Sequence, residues 1–205
     1  MGKNLLIVIS APSGAGKTTI CKRLIKTTPN LVFSVSMTTR QPRENEINGA
    51  DYIFVDVDEF EDKIKKGEFI EWAKIYDDYY GTPKKFLNES LASGMDVLLD
   101  IDAQGAMNVQ GRYRDNSVLI FIIPPFIEDL KTRLSNRMTD SLEEIEKRLS
   151  LAKQELKNLE KYDYCVVNDD IGVTVGKLKS IIIAEKNKVK KIGKEILEQL
   201  GIEDV

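Results

Sequence analysis

The stretch Ala11-Pro12-Ser13-Gly14-Ala15-Gly16-Lys17-Thr18 nearly matches the pattern G-x-x-x-x-G-K-[ST]. Each residue type has a physical task there. The glycines let the backbone curl so that successive N–H groups converge on one anion, and a helix opening at Lys17 adds the positive end of its dipole. Lys17 can reach the β- and γ-phosphates of a nucleoside triphosphate, and the Thr18 hydroxyl can ligate Mg2+. The stretch departs from the strict pattern at Ala11, where glycine is usual. The triphosphate side of a site would then comprise Ala11, Pro12, Ser13, Gly14, Ala15, Gly16, Lys17, Thr18 and Thr19.

A second group of residues offers anion and base recognition. Arg40 and Arg43 carry planar guanidinium forks suited to bidentate phosphate contact. Tyr52 and Tyr80 each have an O–H that can donate to a phosphate oxygen. Glu71 lies in the apolar run Phe69 to Ile75, where a charge is costly unless paired. A carboxylate accepts two hydrogen bonds side by side, and guanine offers such a pair (N1–H and the 2-amino group) while adenine does not. Asp100 and Asp102 close a core strand, the place where open α/β sheets bind ligands. Taken singly, the tyrosines would pass for packing residues and the arginines for solvated charges.

Composition narrows the chemistry further. The chain has 205 residues, 30 basic and 33 acidic side chains, no histidine and two cysteines, Cys21 and Cys165. That excludes Ser-His-Asp and Cys-His sites, histidine-ligated zinc, four-cysteine metal sites and a disulfide framework. Both cysteines are expected to be small buried hydrophobes. A net charge of −3 argues against general nucleic-acid binding. No apolar run reaches the roughly 18 residues of a membrane helix. No signal peptide is read at the N-terminus, so a cytoplasmic protein is expected.

These groups need elements to hold them. Leu5 to Ile9 reads as a strand buried on both faces, and Lys17 to about Lys26 as the helix after the loop. Val32 to Met37 reads as a second strand. From Thr38 to about Gly94 the texture is more polar and rich in tyrosine, with short strands at Tyr52 to Val55 and Phe69 to Ile75 and helices at Asp58 to Lys66 and Thr82 to Ala92. Core-like strands return at Val97 to Ile101, Val118 to Ile123 and Tyr164 to Val167. Helical spacing runs from Ile127 to Arg137, from Leu142 to Leu159 and from Val173 to about Leu200, whose Ile192, Ile196, Leu197 and Leu200 should pack on the domain. Alternating strands and helices predict an α/β fold with a parallel sheet covered on both faces.

Several stretches in register resemble guanylate kinases: Phe33 to Arg43, Glu46 to Tyr52, Phe69 to Ala73, Tyr79 to Thr82, Leu99 to Asp102 and Val166 to Asp170. The resemblance runs in order from about residue 4 to residue 186. It implies a three-layer P-loop NTPase-type parallel sheet flanked by helices. Residues 1–37 and 96–205 would form the core, 38–95 a small α/β GMP-binding insertion, and about 127–158 a helical lid. It implies transfer of the γ-phosphoryl of ATP to GMP or dGMP with Mg2+, in a monomer or small homo-oligomer with no nucleic-acid or membrane partner. It places Ser36, Glu71 and Thr82 on the guanine, and Arg40, Arg43, Tyr52 and Tyr80 on the GMP phosphate. Glu46, Asp100 and Asp102 would complete the acceptor site, with Asp100 a possible partner to Thr18 at the metal. Asn168 would lie near the adenine of ATP. Arg133, Arg137 and Arg148 match lid arginines that close on the transferring group and, with Lys17 and Arg40, would be catalytic. The lid stretch departs from the family at Met138, where glycine is usual. The resemblance leaves two rivals: a kinase for another nucleotide, against which Glu71 argues, and a non-catalytic phosphopeptide-binding module, in which the phosphate loop is typically degraded.

Overall fold

The structure, a computed structural model, describes residues 4–202 apart from 13, 45, 76, 127–129 and 131–141, without the side chains at 142–148, 194 and 195. Its centre is a five-stranded, wholly parallel sheet. In chain order the strands are β1 (Leu6–Ser10), β2 (Leu31–Phe33), β7 (Asp96–Asp100), β8 (Ser117–Ile123) and β9 (Tyr164–Val167), arranged β2-β7-β1-β8-β9. Successive side chains of a strand point to opposite faces. Leu5, Ile7 and Ile9 accordingly enter one apolar core with Ile20, Leu24 and Leu178, while Leu6 and Val8 enter another with Leu87, Ala106 and Val109. The unbroken apolar run of β1 is thus explained by burial on both sides.

Helices α1 (Lys17–Thr27), α5 (Leu142–Leu156) and α6 (Ile171–Lys186) contribute Leu24, Ala152 and Leu178 to the first core. Helices α3 (Lys84–Ala92) and α4 (Ala103–Tyr113) contribute Leu87 and Val109 to the second. The result is the expected three-layer α/β architecture. A second, four-stranded sheet lies between Met37 and Pro83, ordered β4-β3-β6-β5 from β3 (Met37–Thr38), β4 (Ile53–Phe54), β5 (Phe69–Ile75) and β6 (Asp78–Pro83), with helix α2 (Val57–Lys65). Its own small core is Met37, Phe60 and Phe69, in which Phe60 stacks on Phe69 at 4.5 Å between ring centroids. A Cβ on Gly81 of β6 would come within 2.8 Å of the Phe69 ring, so only glycine lets the strand cross there.

Five expectations change. The single strand read over Val32 to Met37 is two, because the chain leaves the parallel sheet after Phe33 and joins the other sheet at Met37. The helix read from Thr82 starts at Lys84, since Tyr79 to Pro83 belong to β6 and Pro83 ends that strand without an N–H to give. The long C-terminal helix breaks at Asn187 and Lys188 into α6 and α7 (Val189–Gln199). Ile196 and Leu200 on α7 are exposed rather than packed. Cys21 is buried as expected, but Cys165 is exposed. The helix read over Ile127 to Arg137 lies outside the described residues except for Leu130, which is fully buried.

Candidate active site

β1 delivers the chain to the phosphate loop at the carboxyl end of the sheet. Pro12 O accepts from Ala15 N at 3.0 Å, closing a turn in which Gly14 takes a φ of 89°, and Gly16 beyond it takes 88°. Side chains are rarely tolerated in that left-handed region. Gly16 is also the N-cap of α1 and offers no side chain to cap it. Lys17, one residue on, extends to Asp100 at the end of β7, with Nζ 2.5 Å from Oδ1 and 3.5 Å from Ile101 O. Burial alone would lower the Lys17 pKa, but the adjacent Asp100 carboxylate outweighs it and holds the ammonium protonated well above its ordinary range. Ser13 lies outside the described residues. Asn168 stands behind the loop: its amide donates to Ala15 O at 2.8 Å and accepts from Thr174 Oγ1 at 3.1 Å.

Across the cleft, Arg40 is held by hydrogen bonds on the chain between β3 and β4. Arg40 Nη2 donates to both oxygens of Glu46, at 2.8 and 2.9 Å, and Nη1 to Gln41 O at 2.6 Å. Its guanidinium carbon stands 5.4 Å from the centre of the Tyr52 ring. Burial would lower the Arg40 pKa, and Glu46 reverses the effect. Glu46 also accepts from the Arg43 backbone N at 2.8 Å. Glu46 thus ties the Arg40 guanidinium to the Arg43 backbone. Tyr52 packs edge-on against Tyr80, with centroids 6.1 Å apart. Burial raises the Tyr52 pKa, which keeps its hydroxyl a donor.

Glu71 is set by sheet register. A shift in the β5–β6 pairing between Phe69 and Glu71 sends Ile70 into the core beneath and places Glu71 opposite Thr82. The Thr82 hydroxyl donates to Glu71 Oε1 at 2.5 Å, and Glu71 is only 6% exposed. Burial pushes the Glu71 carboxyl up to about 7, the Thr82 bond opposes the rise, and the Asp102 charge adds to it. Asp102 caps α4, accepting from Gly105 N at 2.7 Å. A Cβ on Gly105 would lie 2.6 Å from Glu71 Oε2, so this glycine makes room for the carboxylate.

Two adjoining cavities join these groups. One of about 320 Å³ is lined by Thr18, Ser36, Arg43, Glu46, Tyr52 and Asp100 among others. The other, about 80 Å³, is lined by Lys17, Ser36, Tyr52, Glu71, Tyr80, Asp100 and Asp102 among others. Ser36, Tyr52 and Asp100 belong to both. The structure therefore brings Lys17, Thr18, Ser36, Arg43, Glu46, Tyr52, Glu71, Tyr80, Asp100 and Asp102 to one trough, with Arg40 beside it against Glu46 and Tyr52 and Thr82 against Glu71.

Arg133 and Arg137 lie outside the described residues, and Arg148 is placed on α5 by its backbone only. Three features escaped the sequence reading. Gly105 sits in a stretch without helical periodicity. Lys22 Nζ meets Asp51 at 2.7 Å across the cleft, a pair separated by 29 positions. Glu155 of α5, raised to about 7 by burial, faces the charges of Lys17 and Asp102, and nothing in its charged helical stretch marks it out.

The chain is similar to known proteins over almost its whole length. The family profile described as guanylate kinase matches residues 3–185. A guanylate kinase of Caldanaerobacter subterraneus subsp. tengcongensis is 50% identical over 189 residues, covering 92% of this chain and 91% of the relative. One of Clostridioides difficile is 46% identical over 197 residues, 96% of each chain. The crystal structure of guanylate kinase from Anaplasma phagocytophilum superposes with a TM-score of 0.82 at 35% identity, covering 100% of this chain and 98% of that one.

Proposed function

The chain belongs to the guanylate kinase family, and from that premise we propose that it transfers the γ-phosphoryl group of ATP to GMP or dGMP, giving ADP and GDP. The observation that carries the reading is that Lys17, directly after the phosphate loop, and the buried Glu71 line one cavity, which adjoins a larger one lined by Thr18, Arg43 and Tyr52. A guanine at Glu71 and Ser36 directs its 5′-phosphate toward Arg43, Tyr52 and Tyr80. A triphosphate in the loop approaches the same point from the opposite side.

The acceptor phosphate is ionised at pH 7, so no general base is needed. One of its oxygens forms a bond to the γ-phosphorus as the bond from that phosphorus to the β–γ bridging oxygen breaks, in line. The protein's task is to position the two phosphates and to neutralise charge. Lys17 meets the triphosphate by exchanging its Asp100 contact for phosphate oxygens. Arg40 and Arg43 hold the acceptor. We assign Arg133, Arg137 and Arg148, on a lid of about residues 127–158, to the transferring group, and residues 38–95 to the acceptor subdomain.

The donor set suits Mg2+. Thr18 and Asp100 are hard oxygen ligands lining one cavity, and among the described residues no cluster of three carboxylates forms a cage. An ion held mostly by phosphate oxygens and water fits such a site. Mg2+ there would neutralise charge on the β- and γ-phosphates. Among the described residues no helix is long and apolar enough to cross a membrane. We place the enzyme in the cytoplasm, as a monomer or small homo-oligomer without nucleic-acid or membrane partners. Separation of the nucleotides after incubation with MgATP and GMP tests the reading: ADP and GDP should appear in equal amounts, and ADP without GDP would contradict it.

A further inference from the structure

We infer that Asn168 and Thr174 form a positioning device that aims the phosphate loop's Gly16 N–H at the triphosphate from behind, without touching the nucleotide. This rests on the reading of the loop as the ATP site. Asn168 is 4% exposed and Thr174 is fully buried. The Asn168 backbone is anchored to β8, its N donating to Ile123 O at 2.7 Å. Its side-chain Nδ2 donates to Ala15 O at 2.8 Å, a contact linking residues 153 positions apart. A carbonyl oxygen can only accept, so the NH2 end of the amide must face Ala15, and Oδ1 faces the Thr174 hydroxyl at 3.1 Å. The Ala15 carbonyl thereby fixes which way the amide points, and the Thr174 hydroxyl, donating to Oδ1, holds its other end.

The consequence follows from peptide geometry. In a planar trans peptide the C=O and N–H point in opposite directions. Holding the Ala15 carbonyl back against Asn168 turns the N–H of the same peptide unit, that of Gly16, forward. The approach is close: a Cβ on Gly16 would lie 3.0 Å from Asn168 Nδ2. Glycine at this position therefore serves the amide behind it as well as the positive φ. Both polar ends of the Asn168 side chain are engaged inside the protein, which distinguishes this role from contact with adenine.

Inorganic tripolyphosphate separates the two roles, because it offers the loop a triphosphate and no base. We would measure binding of MgATP and of Mg-tripolyphosphate to Asn168→Asp, Thr174→Val and Thr174→Ser, with KM for GMP and Tm alongside. Asn168→Asp sets an acceptor against the Ala15 carbonyl. It should weaken both ligands by a similar factor of about tenfold, with KM for GMP within about twofold of wild type. Thr174→Val, of similar shape, should weaken both by about threefold and carries the test if the Asp variant does not fold. Thr174→Ser, which keeps the hydroxyl, should restore binding. A loss confined to MgATP would overturn the inference in favour of an adenine contact. Unaltered binding of both ligands, an equal rise in KM for GMP, or failure of tripolyphosphate to bind the wild type would overturn it as well. A wild-type chain that binds tripolyphosphate but does not phosphorylate GMP would sink the kinase reading and leave this inference standing.

Discussion

Burial raises the Glu71 carboxyl from 4.5 to about 7, while two guanine donors require the ionised form. GMP binding should therefore strengthen as pH rises through about 7 and level off above it. The GMP phosphate titrates near pH 6 as well, so the Glu71 component is the part of the profile that disappears in Glu71→Gln. The stability effect of the same group in the unliganded protein has the opposite sense. Its folded pKa lies above its unfolded value, so the protonated form is favoured, and its contribution is complete below about 4.5 and lost as pH rises through about 7. Thermal melts across that interval should show a decline that Glu71→Gln reduces. Kinetically, Glu71→Gln should lose more than about tenfold in kcat/KM for GMP, since an amide oxygen satisfies one donor and leaves the other unpaired. Steady-state rates with GMP varied at saturating MgATP check this. Glu71 was legible in the sequence as a carboxylate in an apolar strand. Its titration near neutrality was not, because Thr82, Asp102 and Gly105 reach it through pairing and packing.

At the scale of elements, α4 shows what periodicity misses. Gly105 and Gly111 interrupt the pattern of Ala103–Tyr113, so the helix could not be read from spacing; its Asp102 cap and the packing of Ala106 and Val109 on the sheet hold it. Ala normally exceeds Gly in a helix by up to about 1 kcal/mol. Gly105→Ala should nevertheless harm the enzyme, because the new Cβ would meet Glu71 Oε2 at 2.6 Å. We expect KM for GMP to rise by about fivefold or more with KM for ATP little changed, in separate titrations of the two substrates. Strand β6 was hidden for a related reason. Its Gly81 and Pro83 are poor strand formers, and its pairing with β3 and β5 comes from residues about 40 and 10 positions away. The buried strands β1, β7 and β8 were legible because burial on both faces leaves a continuous apolar run.

Over the whole molecule, contacts join distant parts of the chain at the site: Lys17 with Asp100, Ala15 with Asn168, and Lys22 with Asp51. The residue types at these positions were visible in the sequence, but their meeting was not, since nothing local encodes it. The Lys22–Asp51 pair links α1 to the insertion with side chains 63% and 18% exposed. Exposed pairs contribute less than about 1 kcal/mol and are screened by salt. Lys22→Ala should therefore shift Tm by no more than about 4 °C, as scanning calorimetry would show. The absence of histidine fits the same picture, because phosphoryl transfer between phosphates requires charge and position rather than a titrating base. The most direct test is coupled ADP release from MgATP with GMP, dGMP or AMP as acceptor. The account requires rapid release with GMP and dGMP and little with AMP. No acceptor-dependent release, or release with AMP as fast as with GMP, would contradict it.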